Sequence, residues 1–488
     1  MNMKIMFKLP QLCSAVLLLS CTTSELPPQE EPVKSVSPPA TSVSVVTPIP
    51  AVDGVAQMYV GYAVSGKTSM TPKGDPTMAI VTQKADVSVL KTASSTGELN
   101  YIAIGGSLTA GYRDRGLTRE SQLTAYPNLI AHQMGLVNFK SPLFDVEEAN
   151  GSGGLMFDGT ADMPSWKQVT NQTALKSNAP MTLSKYAGGD FQNVSSPSIG
   201  KDGFQANYTS QSQSILSYPF VERLFKTLEI LPSKFVDGVS IIPSMESIFK
   251  KQNPDIYTVE FGLDNYLDYI MTQPSCWFST NGNLGSYRLT YNSQGKVIGK
   301  PIWILMPPQV LRFPYFQFFT YEKLLKKLGV GSIEIGTYKD QEIVKADKNC
   351  IFLPTQRITD AIKNKTSVGV IPDVEVLDAL ETKSAGLNSV EGLSEYNRIL
   401  TTSAKLTNIP TVDLPAIYEK ILNGQYVSED GFRIDPSFPK GNFFSQDGIY
   451  PSAIGQAVIA NEVIKVMNQS YKTKIPLINI TEFARGLK

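Results

Sequence analysis

Short apolar runs that end in Gly or Pro turns, alternating with amphipathic stretches, constrain this chain more than any other feature. The first run, LNYIAIG at residues 99–105, leads into the Gly-rich turn GGSLTAG and, after a loop, the amphipathic YPNLIAHQMG. DIYTVEFG (255–262) and KPIWILM (300–306) repeat the strand-like pattern, and residues 410–414 add a short fourth run. Helical spacing marks residues 244–252, 321–328, 395–406 and 454–468. Strands alternating with helices predict an α/β domain whose parallel sheet is covered on both faces. Ligand sites in such sheets lie at the carboxyl ends of the strands.

Two polar insertions interrupt the rhythm, near 150–215 and 272–370, and are expected to form surface loops or a small cap. Residues 51–97 read as an extension packing on the main domain, which spans 98–470, and 471–488 as a C-terminal tail. The amino end reads differently. Residues 1–20 carry Lys4 and Lys8 before a short apolar run, the pattern of a signal peptide too short to span a bilayer. Leu18-Leu19-Ser20-Cys21 resembles a bacterial lipobox, in which Cys21 is acylated after cleavage; the plainer reading is a secretory signal with a chance cysteine. Residues 21–50, rich in Pro, Ser and Thr, suit a lipidated tether. After export only Cys276 and Cys350 remain, as one disulfide or two separate thiols.

Charge excludes some partners. Lys plus Arg and Asp plus Glu are equal at 44 each, so no field draws the chain to nucleic acid. The sequence holds no Walker loop, dinucleotide fingerprint or paired CxxC, and its single histidine makes a His-based metal site unexpected. No cofactor is expected.

The stretches GGSLTAGYRDRGLTRESQLTAYPNLIA and GNFFSQDGIYPSAIGQAVIANEVI, with a strand-like Gly262-Leu263-Asp264-Asn265 between them, resemble the SGNH or GDSL hydrolase family. They look most like its large lipoprotein members in Bacteroidota. The resemblance covers about residues 99–468 and implies a flavodoxin-like three-layer fold with loop or cap insertions. It also implies a serine nucleophile, a histidine three residues after an aspartate, and an oxyanion hole of glycine, asparagine and serine amides. Ser107 matches the nucleophile, with Gly106 where an aspartate usually stands, and Asp447 matches the triad acid. Ser198, in Asn193-Val194-Ser195-Ser196-Pro197-Ser198, falls loosely at the oxyanion glycine. Asp264 stands at the oxyanion asparagine, and Tyr450 at the histidine.

These departures strike the chemistry directly. A phenol with a pKa near 10 is only ~0.1% ionised at neutral pH, and losing the base of a serine hydrolase costs on the order of 10⁶ in turnover. A carboxylate about 4 Å from a developing oxyanion repels it by roughly 4 kcal/mol at an effective dielectric near 20. Three rescues are open: His132, which reads as a solvated or capping helix residue; Asn265, slipped by one place; and Asp447, kept as a hydrogen-bond acceptor for Tyr450.

The expectation is therefore an outer-membrane lipoprotein, on the periplasmic face or the cell surface, that has lost catalysis and serves as a binding or structural subunit. An outer-membrane β-barrel is the expected partner, and an acyl or glycan ligand is compatible. The alternative is a weak or atypical esterase or lipase using Ser107 on acyl esters. Trp166 and Trp277 read as packing residues or, in a third reading, as aromatic platforms for carbohydrate.

Overall fold

The computed structural model describes residues 59, 61–91, 97–178, 181–197, 208–209, 219–224, 234–236, 239–242, 245–271, 297–337, 342–378 and 390–487. Cys21, Ser198, Cys276 and Trp277, together with the signal and tether segments, lie outside the described residues.

The centre is a five-stranded parallel sheet in a mixed α/β chain. Its strands are β1 (Tyr101–Gly105), β2 (Asn193–Ser195), β3 (Ile256–Glu260), β4 (Lys300–Leu305) and β5 (Thr411–Asp413). Their spatial order is β5-β4-β3-β1-β2, with Ile256 opposite Tyr101 and opposite Lys300. Every residue of β1 and β3 is buried, as a strand covered on both faces requires. The order reverses between β1 and β3, so right-handed crossovers send helices to opposite faces from that point.

Helix α1 (Ser107–Ala110) follows β1, and α2 (Tyr126–Met134) opens with Pro127 in its first turn and stops at left-handed Gly135. Helix α3 (Met245–Gln252) precedes β3, and α4 (Leu263–Met271) follows it. Helices α5 (Val390–Thr407) and α6 (Leu414–Leu422) flank β5, and α7 (Ala453–Tyr471) closes the order, capped by Ser452 Oγ on the Gly455 N–H at 3.1 Å. Helix α7 packs along α2. Between them, buried Gln456 accepts from the Tyr126 N–H (3.0 Å) and donates to the Leu108 carbonyl (3.1 Å), fixing α1 against both helices.

The insertions carry small sheets of their own. Leu155–Phe157 pairs antiparallel with Trp166–Val169, and Val64–Thr68 of the extension pairs parallel with that same strand. Further along, Asp86 bridges Lys474, and the Thr77 N–H donates to the Gly486 carbonyl at 3.4 Å. The second insertion, running on to residue 378, contributes a sheet of Phe319–Thr320, Cys350–Phe352 and Val376–Asp378 and another of Glu334–Gly336, Ile343–Lys345 and Ile371–Pro372. Cys350 is buried at the start of its strand. Among the described residues no helix is long and apolar enough to cross a membrane.

Candidate functional site

The site lies where β1 and β3 end and the sheet order reverses. Ser107 opens α1 immediately after β1 and is fully buried. A Cβ at Gly105 would stand 2.1 Å from Thr109 Oγ1 and 2.7 Å from Glu260 Oε2, so only glycine permits this close turn. Glu260, the last residue of β3, cradles the turn. Its Oε2 accepts from the N–H of Gly106 (3.1 Å) and Thr109 (3.3 Å) and from the Thr109 hydroxyl (2.8 Å).

Asp264 lies in the first turn of α4, so the Gly262–Asn265 stretch expected to be strand-like is instead the start of a helix. The reason is visible in burial: Leu263, Tyr266, Leu267 and Ile270 share one buried face at helical spacing. From this turn Asp264 Oδ2 accepts the Ser107 N–H at 2.7 Å, and Oδ1 accepts the Tyr450 hydroxyl at 2.9 Å. The Ser107 side chain is hydrogen-bonded to both partners. Asn265 does not take this place; its Oδ1 is buried without a hydrogen-bond partner among the described residues.

Burial pushes the Asp264 carboxyl up, against the opposing effect of the Ser107 and Tyr450 donors. Burial also raises Glu260, and the Asp264 charge beside it raises it further. Two neighbouring buried acids disfavour carrying two negative charges at once. The Tyr450 phenol is driven well above its ordinary value by burial and by Asp264, which leaves even less phenolate to act as a base than a free tyrosine has.

Asp447 serves the backbone. Its Oδ1 accepts from the N–H of Ile449 (2.8 Å) and Tyr450 (3.0 Å) and from Ser445 Oγ (2.9 Å), while Oδ2 accepts the Arg115 N–H (3.3 Å). It therefore bonds the Tyr450 amide, whereas the phenol points to Asp264. The Arg115 bond matters because Asp114 and Arg115 both have φ of 55°, consecutive left-handed residues without a glycine. Reciprocal bonds between Arg113 and Gly116 close this turn, and such conformations cost about 1–3 kcal/mol per residue. Three further bonds hold it: Asp114 N–H to Ser445 Oγ (3.3 Å), Gln446 N–H to Asp114 Oδ1 (2.5 Å), and Leu155 N–H to the Asp114 carbonyl (2.7 Å). The turn sets the Arg115 guanidinium 5.5 Å from the Tyr62 ring centroid and 6.0 Å from that of Tyr112. Tyr112 in turn meets Tyr450 edge-on at 5.4 Å.

Trp166 cannot be a carbohydrate platform. It is fully buried, donates from Nε1 to the Gln446 carbonyl at 2.7 Å, and packs edge-on to Tyr62 at 4.9 Å. His132 sits on α2 with Nε2 3.1 Å from the Ala79 carbonyl, serving the extension rather than Ser107. A cavity of about 330 Å³ opens at the opposite, amino-terminal edge of the sheet, lined in part by Tyr101, Phe139, Asp190 and Gln192. Its lining amides are spent on the fold: Asn100 donates to the Gln252 carbonyl, Gln252 to the Phe191 carbonyl, and Gln192 accepts the Lys140 N–H.

Sequence reasoning brought together Ser107, Asp264, Asp447 and Tyr450, and missed Glu260, Arg115 and Tyr62. An acid ending the apolar run IYTVE was the available signal for Glu260. No family model, curated protein or solved structure matches the chain.

Proposed function

We propose that this chain is an SGNH-like lipoprotein that has lost hydrolysis and acts as a binding or structural subunit at the outer membrane. One observation carries the reading: the Ser107 amide, which an acyl-transfer site would offer to an oxyanion, is already bonded to the Asp264 carboxylate. A second acid, Glu260, caps the same turn, and a phenol raised by burial stands where a base is needed. Substrate would have to displace a buried, hydrogen-bonded carboxylate before chemistry began. An outer-membrane β-barrel remains the partner proposed from the expected location, with an acyl or glycan ligand for the rim. Crosslinking in cells that recovered no barrel protein would remove that partner.

The test is labelling of the lipid-free chain with a fluorophosphonate, beside short- and long-chain esters and the Ser107→Ala and Tyr450→His variants. No labelling and no Ser107-dependent turnover is the expected result. Labelling that disappears in Ser107→Ala would overturn the reading.

A second reading rests on the hydrogen-bond chain from Ser107 through Tyr450 to Asp264. In a relay, the Ser107 proton passes to the phenol oxygen as the phenol proton passes to Asp264 Oδ1. Asp264 then becomes neutral as the oxyanion forms, which lifts the repulsion between them. Tyr450→Phe would abolish Ser107-dependent labelling under this reading, and Tyr450→His would not restore it.

A further inference from the structure

We infer that the cavity at the amino-terminal edge of the sheet is a second ligand site, built for a small organic cation that carries an apolar body. It lies at the far end of the strands from Ser107, so the inference stands apart from the reading of that site. Its volume, about 330 Å³, falls at the lower end of the range for small-molecule pockets. The inner wall is apolar. Leu99 and Tyr101 are buried at its base, and half-buried Phe139 stacks on Tyr101 with ring centroids 5.3 Å apart and planes inclined by 18°. Half-buried Leu136 completes that wall. The mouth is acidic: the exposed carboxylates of Glu98 and Asp190 line it, and no lysine or arginine among the described residues does.

The frame holds this shape by itself. Gln192 joins Lys140 in both directions, its N–H donating to the Lys140 carbonyl and its Oε1 accepting the Lys140 N–H, each at 2.8 Å. Asn100 donates to the Gln252 carbonyl at 2.7 Å and Gln252 to the Phe191 carbonyl at 2.9 Å, tying β1 to α3 and to the approach to β2. With these amides committed, the two carboxylates are the charged groups left to select a ligand. Glu98 is already aimed: one oxygen accepts the Val137 N–H (3.3 Å) and the other the Asn138 side-chain amide. Asp190 has neither hydrogen bond nor ion pair among the described residues. Lys91, the lysine closest in sequence to Glu98, turns its ammonium to the Gly97 carbonyl at 2.7 Å. A carboxylate accepts hydrogen bonds and attracts positive charge, whereas an aromatic wall takes a hydrocarbon surface or, over its face, a cation. An ammonium held at the mouth by Glu98 and Asp190, with its hydrocarbon end against Phe139, satisfies both. A carboxylate or phosphate ligand would face two like charges with no cation to meet it.

The probe is phenethylammonium, tested on the full chain by isothermal titration beside its neutral analogue, phenethyl alcohol, and the anionic hydrocinnamate. Saturable binding of the ammonium alone, weakening with added salt, is expected. Glu98→Gln and Asp190→Asn should each weaken it about two- to fivefold, and the pair together roughly tenfold. Asp190→Asn removes a charge and no hydrogen bond of the fold, so its effect reads recognition rather than structure. Asp190→Arg should reverse the choice, losing the ammonium and admitting hydrocinnamate. Equal binding of the ammonium and the alcohol would overturn the inference. So would unchanged affinity in the double variant, or no saturation by about 10 mM ammonium. None of these substitutions touches Ser107, so its labelling by fluorophosphonate is a separate result.

Discussion

Two acidic regions flank Ser107, and they spend their charge in opposite ways. The Asp447 loop surrounds one buried carboxylate with four donors, three of them backbone amides or the neighbouring Ser445 hydroxyl, and the fourth the amide of strained Arg115. At the β3–α4 end two buried acids, Glu260 and Asp264, stand together over a single turn; burial makes both harder to ionise, and the Asp264 charge adds to the effect on Glu260. An acid with enough donors is a keystone whose loss breaks backbone geometry. Two buried acids set beside one another form a proton store, and its removal changes how stability depends on pH.

The largest effect is expected from Asp447→Ala, which leaves the buried amides of Ile449 and Tyr450 and the half-buried amide of Arg115 without their acceptor and frees a strained turn. Loss of about 3–5 kcal/mol of unfolding free energy is expected by urea titration; a loss under about 1 kcal/mol would deny the loop its keystone role. Tyr450→Phe removes a buried donor from Asp264, at a cost of roughly 2 kcal/mol. It should also steepen the dependence of stability on pH, since Asp264 is left harder still to ionise.

Glu260→Gln tests the proton store itself. Both acids are raised in the fold, so the folded chain keeps protons that the unfolded chain has released above about pH 4.5. Their contribution to stability is thus full in acid and lost as pH rises through the raised folded values. Wild type should be less stable at pH 8.5 than at pH 5.5, and Glu260→Gln should shrink that difference by about 1 kcal/mol. Equal slopes in the two proteins would show that Glu260 carries no proton. Ser107→Ala should cost least, on the order of 0.5–1 kcal/mol, because Asp264 keeps the backbone amide when the hydroxyl is gone. A larger loss in calorimetry would make the hydroxyl, rather than the amide, the main tie between α1 and α4.

The letters announced the strands that are continuously apolar and concealed the one that is not. Strand β2 holds a single apolar side chain, Val194, between Asn193 and Ser195, and it lies inside a polar insertion. Its polar residues are buried because they satisfy one another: Ser195 Oγ donates to Asn193 Oδ1 at 2.6 Å, and Asn193 Nδ2 to the Thr109 carbonyl at 3.2 Å. The site was legible where chemistry resides in side chains, as at Ser107, Asp264 and Tyr450. It was hidden where backbone decides, because the donors to Glu260 and Asp447 are mostly amides that any residue would supply. The Asp114–Arg115 turn was only half signalled, since Asp114 is of a type that tolerates the left-handed conformation and Arg115 is not.

The contact between Tyr62 and Asp447 joins residues 385 positions apart. For a chain made from its amino end at about 5–20 residues per second, roughly 20–80 s separate the synthesis of Tyr62 from that of Asp447. Arg115, Trp166 and Tyr315, which pack against Tyr62, are made earlier, so only the last of its contacts waits for the Asp447 loop. A chain interrupted before the Asp447 loop therefore lacks the carboxylate that accepts the Arg115 amide, and the left-handed Asp114–Arg115 turn loses its support on that side.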